Sequence, residues 1–271
     1  NRTIRSLTFS DAADTSFSIS LSANADGGGA ARNLTMGGGI APSITIDAGA
    51  EAAHAIDLGG GSLVLAGDLT IMHNGPAEFT IARPITQNYN IIKDGSGMLT
   101  LSGANTFGAG RTLTLSSGTL NVNNATALGA STCTFVIDGG TLDNTSGGAI
   151  TLANNQPVNL NADLVFMGAG DLNLGAGAVT LNGAAGARTI TVNAGLLTLG
   201  GNIGNGTATA LAKAGNGTLI LNGANTYTGA TLVTDGMLLV NRLLGGAGQV
   251  SVTNSGTLGG TGTVAGAVFI Y

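Results

Sequence analysis

The feature that most constrains the fold of this chain is a short motif that recurs along it. The motif is glycine, any residue, leucine or valine, any residue, leucine or valine. Copies begin at Gly61, Gly97, Gly118, Gly170, Gly177, Gly195, Gly217, Gly236 and Gly248. Its period of two is that of an extended strand, in which alternate side chains point to opposite faces. The motif therefore predicts many short strands, each with one apolar face.

A strand this short cannot bury its apolar face alone. Stacking successive turns of chain ~4.8 Å apart lays like residues over like and builds one continuous core. We therefore predict an all-β fold, a parallel β-helix or β-solenoid, with about 20 residues per turn and roughly 13 turns. We treat residues 1–271 as a single solenoid domain. A β-sandwich or barrel, which also has many short strands, is the alternative.

Composition removes several other classes of protein. Glycine occupies 47 of the 271 positions, but proline occupies only 4 and no three-residue period is present, which excludes collagen. Charged residues make up 8% of the chain, too few for a coiled coil, while 43% hydrophobic residues argue against disorder. Lys93 and Lys213 are the only lysines, so a nucleic-acid partner is not expected. No apolar run is long enough for a membrane span.

A longer repeat lies over the short motif. Residues 93–107 and 213–227 are identical at nine of fifteen positions, and residues 118–123 then match 236–241. The two copies, 93–123 and 213–241, predict a shared set of core residues: Leu99, Leu101, Leu219, Leu221, Leu238 and Val240. At corners we expect Asn105, Asn225, Phe107 and Tyr227, with the amides satisfying backbone groups that the bends leave unpaired.

Residues 213–241, with the run Gly-Asn-Gly-Thr-Leu-Ile-Leu-Asn-Gly-Ala-Asn-Thr-Tyr-Thr-Gly-Ala-Thr, resemble the passenger-associated repeat of autotransporters and similar bacterial surface proteins. Residues 93–123 are a looser copy, with Gly108 to Arg111 forming a corner loop two residues longer. The resemblance implies right-handed parallel β-helix turns on an exported protein. It also implies a repeat that aids secretion or surface display and carries no catalytic residues.

The densest polar group is Asp47, Glu51, His54 and Asp57. On a helix, the first three would share a face suited to a metal ion, but no second histidine is near, and His73 lies well beyond them. An exposed corner with solvated charges is the simpler interpretation. Asp11 and Asp14 indicate a turn, and Cys133 a small buried apolar residue. We therefore predict no cofactor and no metal site.

The predicted function follows from the resemblance and from the two ends of the sequence. We predict a non-enzymatic, secreted or surface-exposed structural protein that forms a fibre by head-to-tail assembly with itself. The strands expected to meet contain Ile4, Leu7 and Phe9 at one end and Val268, Phe269, Ile270 and Tyr271 at the other.

Two other functions stay open. The first is a passenger fragment of an autotransporter adhesin, in which neighbouring turns of a longer protein would cover both ends, and a glycan or host surface would be the partner. The second is a β-helix enzyme acting on polysaccharides, which would need carboxylates converging on one strand face. No carboxylate occupies a repeated position, and this argues against the enzyme.

Overall fold

The computed structural model describes residues 3–9, 18–20, 33–37, 41–58, 60–246 and 248–271. In these residues the chain is all-β, without a helix, and parallel sheets stack as a β-solenoid, as the sequence predicted. Across the same ranges no helix is long and apolar enough to cross a bilayer. The chain divides into two compact units, 1–134 and 135–271, which are described separately below.

The strands described in the first unit are short, and three of them make one turn. In chain order they are β1 (Thr3–Ile4), β2 (Ser6–Phe9), β3 (Ser18–Ser20), β4 (Leu34–Gly37), β5 (Ser43–Ile46), β6 (His54–Asp57), β7 (Leu63–Ala66), β8 (Leu69–His73), β9 (Glu78–Ile81), β10 (Ile85–Thr86), β11 (Ile91–Asp94), β12 (Met98–Leu101), β13 (Thr112–Leu115) and β14 (Thr119–Val122).

Up to β12, every third strand of the first unit stacks in the same parallel sheet, and the turn after β12 adds only β13 and β14 to two of these sheets. One sheet has the order β1-β4-β7-β10, the second runs β2-β5-β8-β11-β13, and the third contains β3-β6-β9-β12-β14. Pairing is in register between turns, so that Leu99 of β12 lies between Phe79 of β9 and Leu120 of β14. Because all three side chains point inward and are buried, the core is a column of stacked apolar residues.

The second unit is built in the same way. Its strands are β15 (Thr134–Ile137), which begins at the boundary, β16 (Thr141–Asp143), β17 (Ile150–Thr151), β18 (Val158–Leu160), β19 (Leu164–Phe166), β20 (Leu172–Asn173), β21 (Val179–Leu181), β22 (Ala187–Val192), β23 (Leu196–Leu199), β24 (Ile203–Asn205), β25 (Ala210–Ala214), β26 (Thr218–Leu221), β27 (Ala224–Asn225), β28 (Thr231–Val240), β29 (Leu243–Leu244), β30 (Val250–Gly259), β31 (Thr263–Val264) and β32 (Val268–Ile270).

Two stacks of strands in the second unit merge where the turns become shorter. The stack β16-β19-β22-β25 meets the first half of β28, and the stack β17-β20-β23-β26 meets its second half. The long strand β30 then pairs with β28, and β32 pairs with β30. The remaining strands form the orders β15-β18-β21-β24 and β27-β29-β31.

The solenoid has about 10 turns, fewer than the 13 that the sequence suggested. The difference arises because most turns use more than 20 residues. Ile91 pairs with Leu69 and with Leu113, each 22 positions away. The turn at the start is longer still, since Thr3 pairs with Thr35. The prediction of one domain over 1–271 stays a prediction.

The alternation of the motif appears directly in side-chain burial. Leu219 and Leu221 of β26 are fully buried, whereas Thr218 and Ile220 between them are half-buried on the outer face. The other residues predicted for the core are also buried: Leu99, Leu101, Leu238 and Val240. Full burial of one leucine side chain contributes roughly 2 kcal/mol.

The register predicts that an aspartate lowers the free energy of unfolding much more at position 221 than at position 218. Leu221→Asp should lower the free energy of unfolding by on the order of 4 kcal/mol, because it buries a carboxylate without a partner. Thr218→Asp, three residues away on the outer face, should change it by less than about 0.5 kcal/mol. Urea unfolding followed by circular dichroism measures both, and equal effects would contradict the assigned faces.

Candidate functional site

Both copies of the long repeat contain a lysine whose side chain is buried in the interior of the solenoid. Lys93 is at the end of β11, and its Nζ donates hydrogen bonds to the carbonyl oxygens of Asp94 (3.0 Å), Gly95 (2.8 Å) and Ser117 (3.1 Å). Its side chain is 0% exposed. We call this arrangement the lysine cradle. Because Ser117 belongs to the next turn, the cradle ties two successive turns together.

The second copy reproduces the cradle. Nζ of Lys213, also 0% exposed, donates to the carbonyl oxygens of Ala214 (2.8 Å), Gly215 (2.7 Å) and Asp235 (3.1 Å). The three acceptors come from the same repeat positions as in the first copy. Three acceptors match the three donors of an ammonium group, so each buried cation is fully hydrogen-bonded.

Glycine is required where the next turn closes over the cradle. Gly118 has φ of +70° and Gly236 has φ of +59°, a region that side chains with a Cβ rarely adopt. A Cβ on Gly118 would lie 2.3 Å from the Gly95 carbonyl oxygen and 2.7 Å from Lys93 Nζ. Glycine is therefore needed at positions 118 and 236 for two reasons: the backbone has a positive φ, and a Cβ would collide with the preceding turn.

Burial changes the acidity of both lysines. Removal from water lowers the pKa of Lys93 to about 8, partly offset by the nearby Asp94 carboxylate. Burial likewise lowers the pKa of Lys213 to about 8, with Asp235 as the opposing charge. Both side chains are therefore mainly ammonium ions at neutral pH, the form that can donate to all three carbonyls.

The predicted corner asparagines join three successive turns. Asn105, almost fully buried, accepts a hydrogen bond from the Ile85 amide (2.8 Å) and donates one to the Ala127 carbonyl (2.7 Å). Ile85 lies one turn before Asn105 and Ala127 one turn after it. We call this arrangement the asparagine bridge. It provides partners for backbone groups at a bend where the strand ladder is interrupted.

Asn225 forms the equivalent bridge in the second copy. Its Oδ1 accepts from the Ile203 amide (3.1 Å), and its Nδ2 donates to the carbonyl oxygens of Gly223 (3.0 Å) and Leu243 (3.2 Å). Asn225 is 0% exposed. The asparagines that follow the motifs beginning at Gly118 and Gly236 are less buried than Asn105 and Asn225. Asn123 is half-buried and Asn241 is exposed.

Phe107 and Tyr227 follow the asparagines and are both fully buried at the corners. The Tyr227 hydroxyl lies 2.7 Å from the Thr231 hydroxyl, and burial raises the pKa of this phenol. Leu113 occupies the position of Thr231 in the first copy, as the pairing with the preceding turn shows. The two hydroxyl-bearing residues of the second copy are thus replaced by two apolar residues in the first.

The candidate metal ligands do not come together. Residues 47–57 form a turn and strand β6 instead of a helix, so Asp47, Glu51 and His54 do not share a helical face. His54 is buried, and Asp57 forms an ion pair with Arg83 at 2.6 Å. Among the residues that the structure describes, no three His, Cys, Asp or Glu side chains are grouped to hold a metal ion.

Two smaller sequence predictions concern Cys133 and the pair Asp11 and Asp14. Cys133 is a buried free thiol against Gly108, and burial raises its pKa to about 11, so it stays protonated at neutral pH. Asp11 and Asp14 lie outside the described residues.

The strands predicted to join copies head to tail differ in exposure. Val268, Phe269, Ile270 and Tyr271 are exposed, and the ring of Phe269 stacks on that of Tyr271. Leu7 is half-buried, and Phe9 is buried with its ring 4.8 Å from that of His54. Ile4 belongs to β1, and its side chain is outside the described part.

Sequence reasoning aligned Lys93 with Lys213 but did not assign them a role. The signal was present, because the only two lysines of the chain occupy the same repeat position. Together, each cradle and bridge forms a clamp of buried polar side chains that holds adjacent turns in register. Its side chains are buried and hydrogen-bond to backbone groups, so the geometry defines a structural repeat of a β-solenoid.

Comparison with known proteins agrees with this class. The family model of the passenger-associated-transport-repeat matches residues 91–122 and 211–240, the two segments that contain the clamps. The chain is also 33% identical over 245 residues to the adhesin BmaC autotransporter of Brucella suis biovar 1. That alignment covers 73% of this chain but only 7% of the adhesin. No solved structure gave a significant match.

These findings identify the chain as a β-repeat protein of the autotransporter passenger type. The segment of similarity extends well beyond the two matched repeats, so the relationship concerns most of the solenoid turns.

The asparagine bridge predicts that two asparagines of the same copy contribute very different amounts to stability. Asn225→Leu should lower the free energy of unfolding by about 2 kcal/mol, because it leaves the Ile203 amide buried without its partner. The exposed Asn241→Leu should cost no more than about 0.5 kcal/mol. The same contrast is expected between Asn105 and Asn123. Urea unfolding of the four variants provides the comparison, and similar losses at Asn225 and Asn241 would refute the role of the bridge.

The lysine cradle predicts two abnormal titrations that can be observed directly. Because the chain has only two lysines, labelled lysine gives a simple NMR spectrum. Both Cε resonances should titrate near pH 8 in the folded protein and near 10.5 in urea. Between these values the unfolded chain binds more protons than the folded one, so this contribution to stability increases as the pH rises. Folded-state midpoints near 10.5 would show that the cradle is solvated.

Proposed function

We propose that this chain is a non-enzymatic segment of a secreted or surface-displayed autotransporter passenger, and that the whole passenger is an adhesin. The single observation that carries the proposal is that both segments matching the passenger-associated-transport-repeat contain the same buried clamp. The similarity to a named adhesin supports the second half of the proposal.

The clamp suggests what the repeat contributes to such a passenger. A chain of stacked turns has mostly neighbour contacts, so each turn can add to the one already folded. The bonds from Lys213 to Asp235 and from Asn225 to Leu243 both reach forward to the following turn. A folded copy therefore offers the next turn fixed partners, in addition to the strand edge. We infer that the two copies stabilise the passenger during export and display, and that adhesion belongs to the whole protein.

The test uses the complete reading frame in its own bacterium. Lys213→Met combined with Asn225→Leu should reduce the amount of full-length passenger at the cell surface several-fold, measured by flow cytometry with an antibody to a distant part of the passenger. Synthesis, measured on whole-cell blots, should stay unchanged. Asn241→Leu is the matched control, because it changes the same residue type in the same copy at an exposed position.

A second measurement distinguishes structural support of the passenger from binding to host cells. Replacing residues 135–271 with an equal number of turns from elsewhere in the same passenger should preserve adherence to host cells once surface levels are matched. Loss of adherence at equal surface level would place the binding site within this segment. Unchanged display of the double variant would reject the role of the clamp in export.

Head-to-tail assembly is the second candidate function. The observation that favours it is the apolar strand β32, whose residues Val268 to Ile270 are exposed and pair in parallel with β30. A parallel strand from a second copy would pair with β32 in the same way. The purified chain separates the candidates: a monomer at all concentrations in sedimentation favours the adhesin segment, and filaments in electron micrographs favour assembly.

A further inference from the structure

The two histidines of the chain lie inside the first unit. His54 of β6 is 3% exposed, and His73 of β8 is 1% exposed. Phe79 of β9 pairs with His54 in the sheet, and its ring lies 6.2 Å from that of His73 in an edge-on arrangement. Nδ1 of His73 lies 3.0 Å from the Met98 carbonyl oxygen, so in the neutral ring this nitrogen carries the proton and donates it.

The second unit has valine at the position of His73. The Gly97 amide donates to the His73 carbonyl (2.7 Å), and the Gly217 amide donates in the same way to the Val192 carbonyl (2.7 Å). A Cβ on Gly97 would lie 2.7 Å from the His73 ring, and one on Gly217 would lie 2.7 Å from Val192 Cγ1. Each side chain therefore supports the glycine that begins the motif of its repeat copy.

The charges around His73 would oppose its protonation. Lys93 of β11 and His54 of β6 both face the interior near the ring, and both act against a second positive charge there. The Asp94 carboxylate lies on the outer side of β11, where it accepts hydrogen bonds from the Ser117 hydroxyl and the Gly95 amide. Glu78 of β9 is on the outer face, where it bonds to Thr100. No carboxylate among the described residues pairs with the His73 ring.

We propose that His73 makes the turns around the first repeat copy sensitive to acid, whereas the second copy, with Val192 in the same place, remains folded. Protonation would place an imidazolium near the ammonium of Lys93, with no carboxylate paired to the ring. The turns can relieve this repulsion only by opening, which admits water to both cations. The device is conformational, and it distinguishes two copies that have the same clamp.

The direction of the effect follows from proton linkage. Burial is the main cause that lowers the pKa of His73 to about 4, the charge of Lys93 adds to it, and the Met98 carbonyl opposes it. Between pH 6.5 and 4 the opened chain binds a proton that the folded chain does not. Stability is therefore complete above pH 6.5 and is lost as the pH falls, with opening favoured by up to about tenfold per pH unit.

Hydrogen exchange of the full chain at pH 7, 6, 5 and 4.5 tests the proposal. Protection factors, corrected for the intrinsic exchange rate at each pH, are compared for peptides covering residues 69–101 and 189–221. We expect protection of 69–101 to fall by up to about tenfold per pH unit below 6.5, while protection of 189–221 changes little.

Two substitutions that exchange the residues at positions 73 and 192 serve as matched controls. His73→Val copies the second unit into the first and should remove most of the acid response of residues 69–101. Val192→His makes the reverse change and should transfer a similar response to residues 189–221. Protonation of carboxylates affects wild type and His73→Val alike, so their difference isolates the histidine. An equal response to acid in wild type and His73→Val overturns the proposal, whether or not Val192→His folds.

Discussion

Everything in this structure depends on the in-register parallel pairing of one turn with the next. Pairing satisfies the backbone of strands that are only a few residues long, and it places each inward side chain over its equivalent in the preceding turn. The column of Phe79, Leu99 and Leu120 is one result. A slip of a single residue would turn every apolar side chain outward, because the side-chain period of a strand is two. The clamps of both repeat copies are placed so that they oppose such a slip.

The lysine cradle shows how a charge can be accommodated in such a core. Burying an ammonium ion without partners is costly, and the cost is reduced only when each of its protons is hydrogen-bonded. Three backbone carbonyl oxygens at and beside the bends between strands converge on Nζ of Lys93. Gly118 then lets the next turn close over the site. The cation is therefore held by backbone acceptors from two successive turns.

The two repeat copies have the same clamps but different surroundings. Tyr227 and Thr231 form a hydroxyl pair where the first copy has Phe107 and Leu113, and Val192 occupies the place of His73. The first replacement changes the polarity of the corner. The second changes a residue that can carry charge, although both His73 and Val192 lie beneath the glycine of their copy. Because turns contact mainly their neighbours, such changes can alter one part of a solenoid without disturbing the rest.

The sequence by itself determined the all-β class, the parallel stacking and the faces of the strands, because a period of two and a repeated motif depend only on local geometry. It also indicated Asn105 and Asn225 as corner residues. Only the tertiary structure decided the number of turns, since the lengths of the bends are set by packing, and only it revealed the lysine cradle. The acceptors of Lys93 include Ser117, which is distant in sequence and becomes a neighbour only when the next turn closes. A buried charge is therefore defined by contacts between turns, which no local pattern encodes.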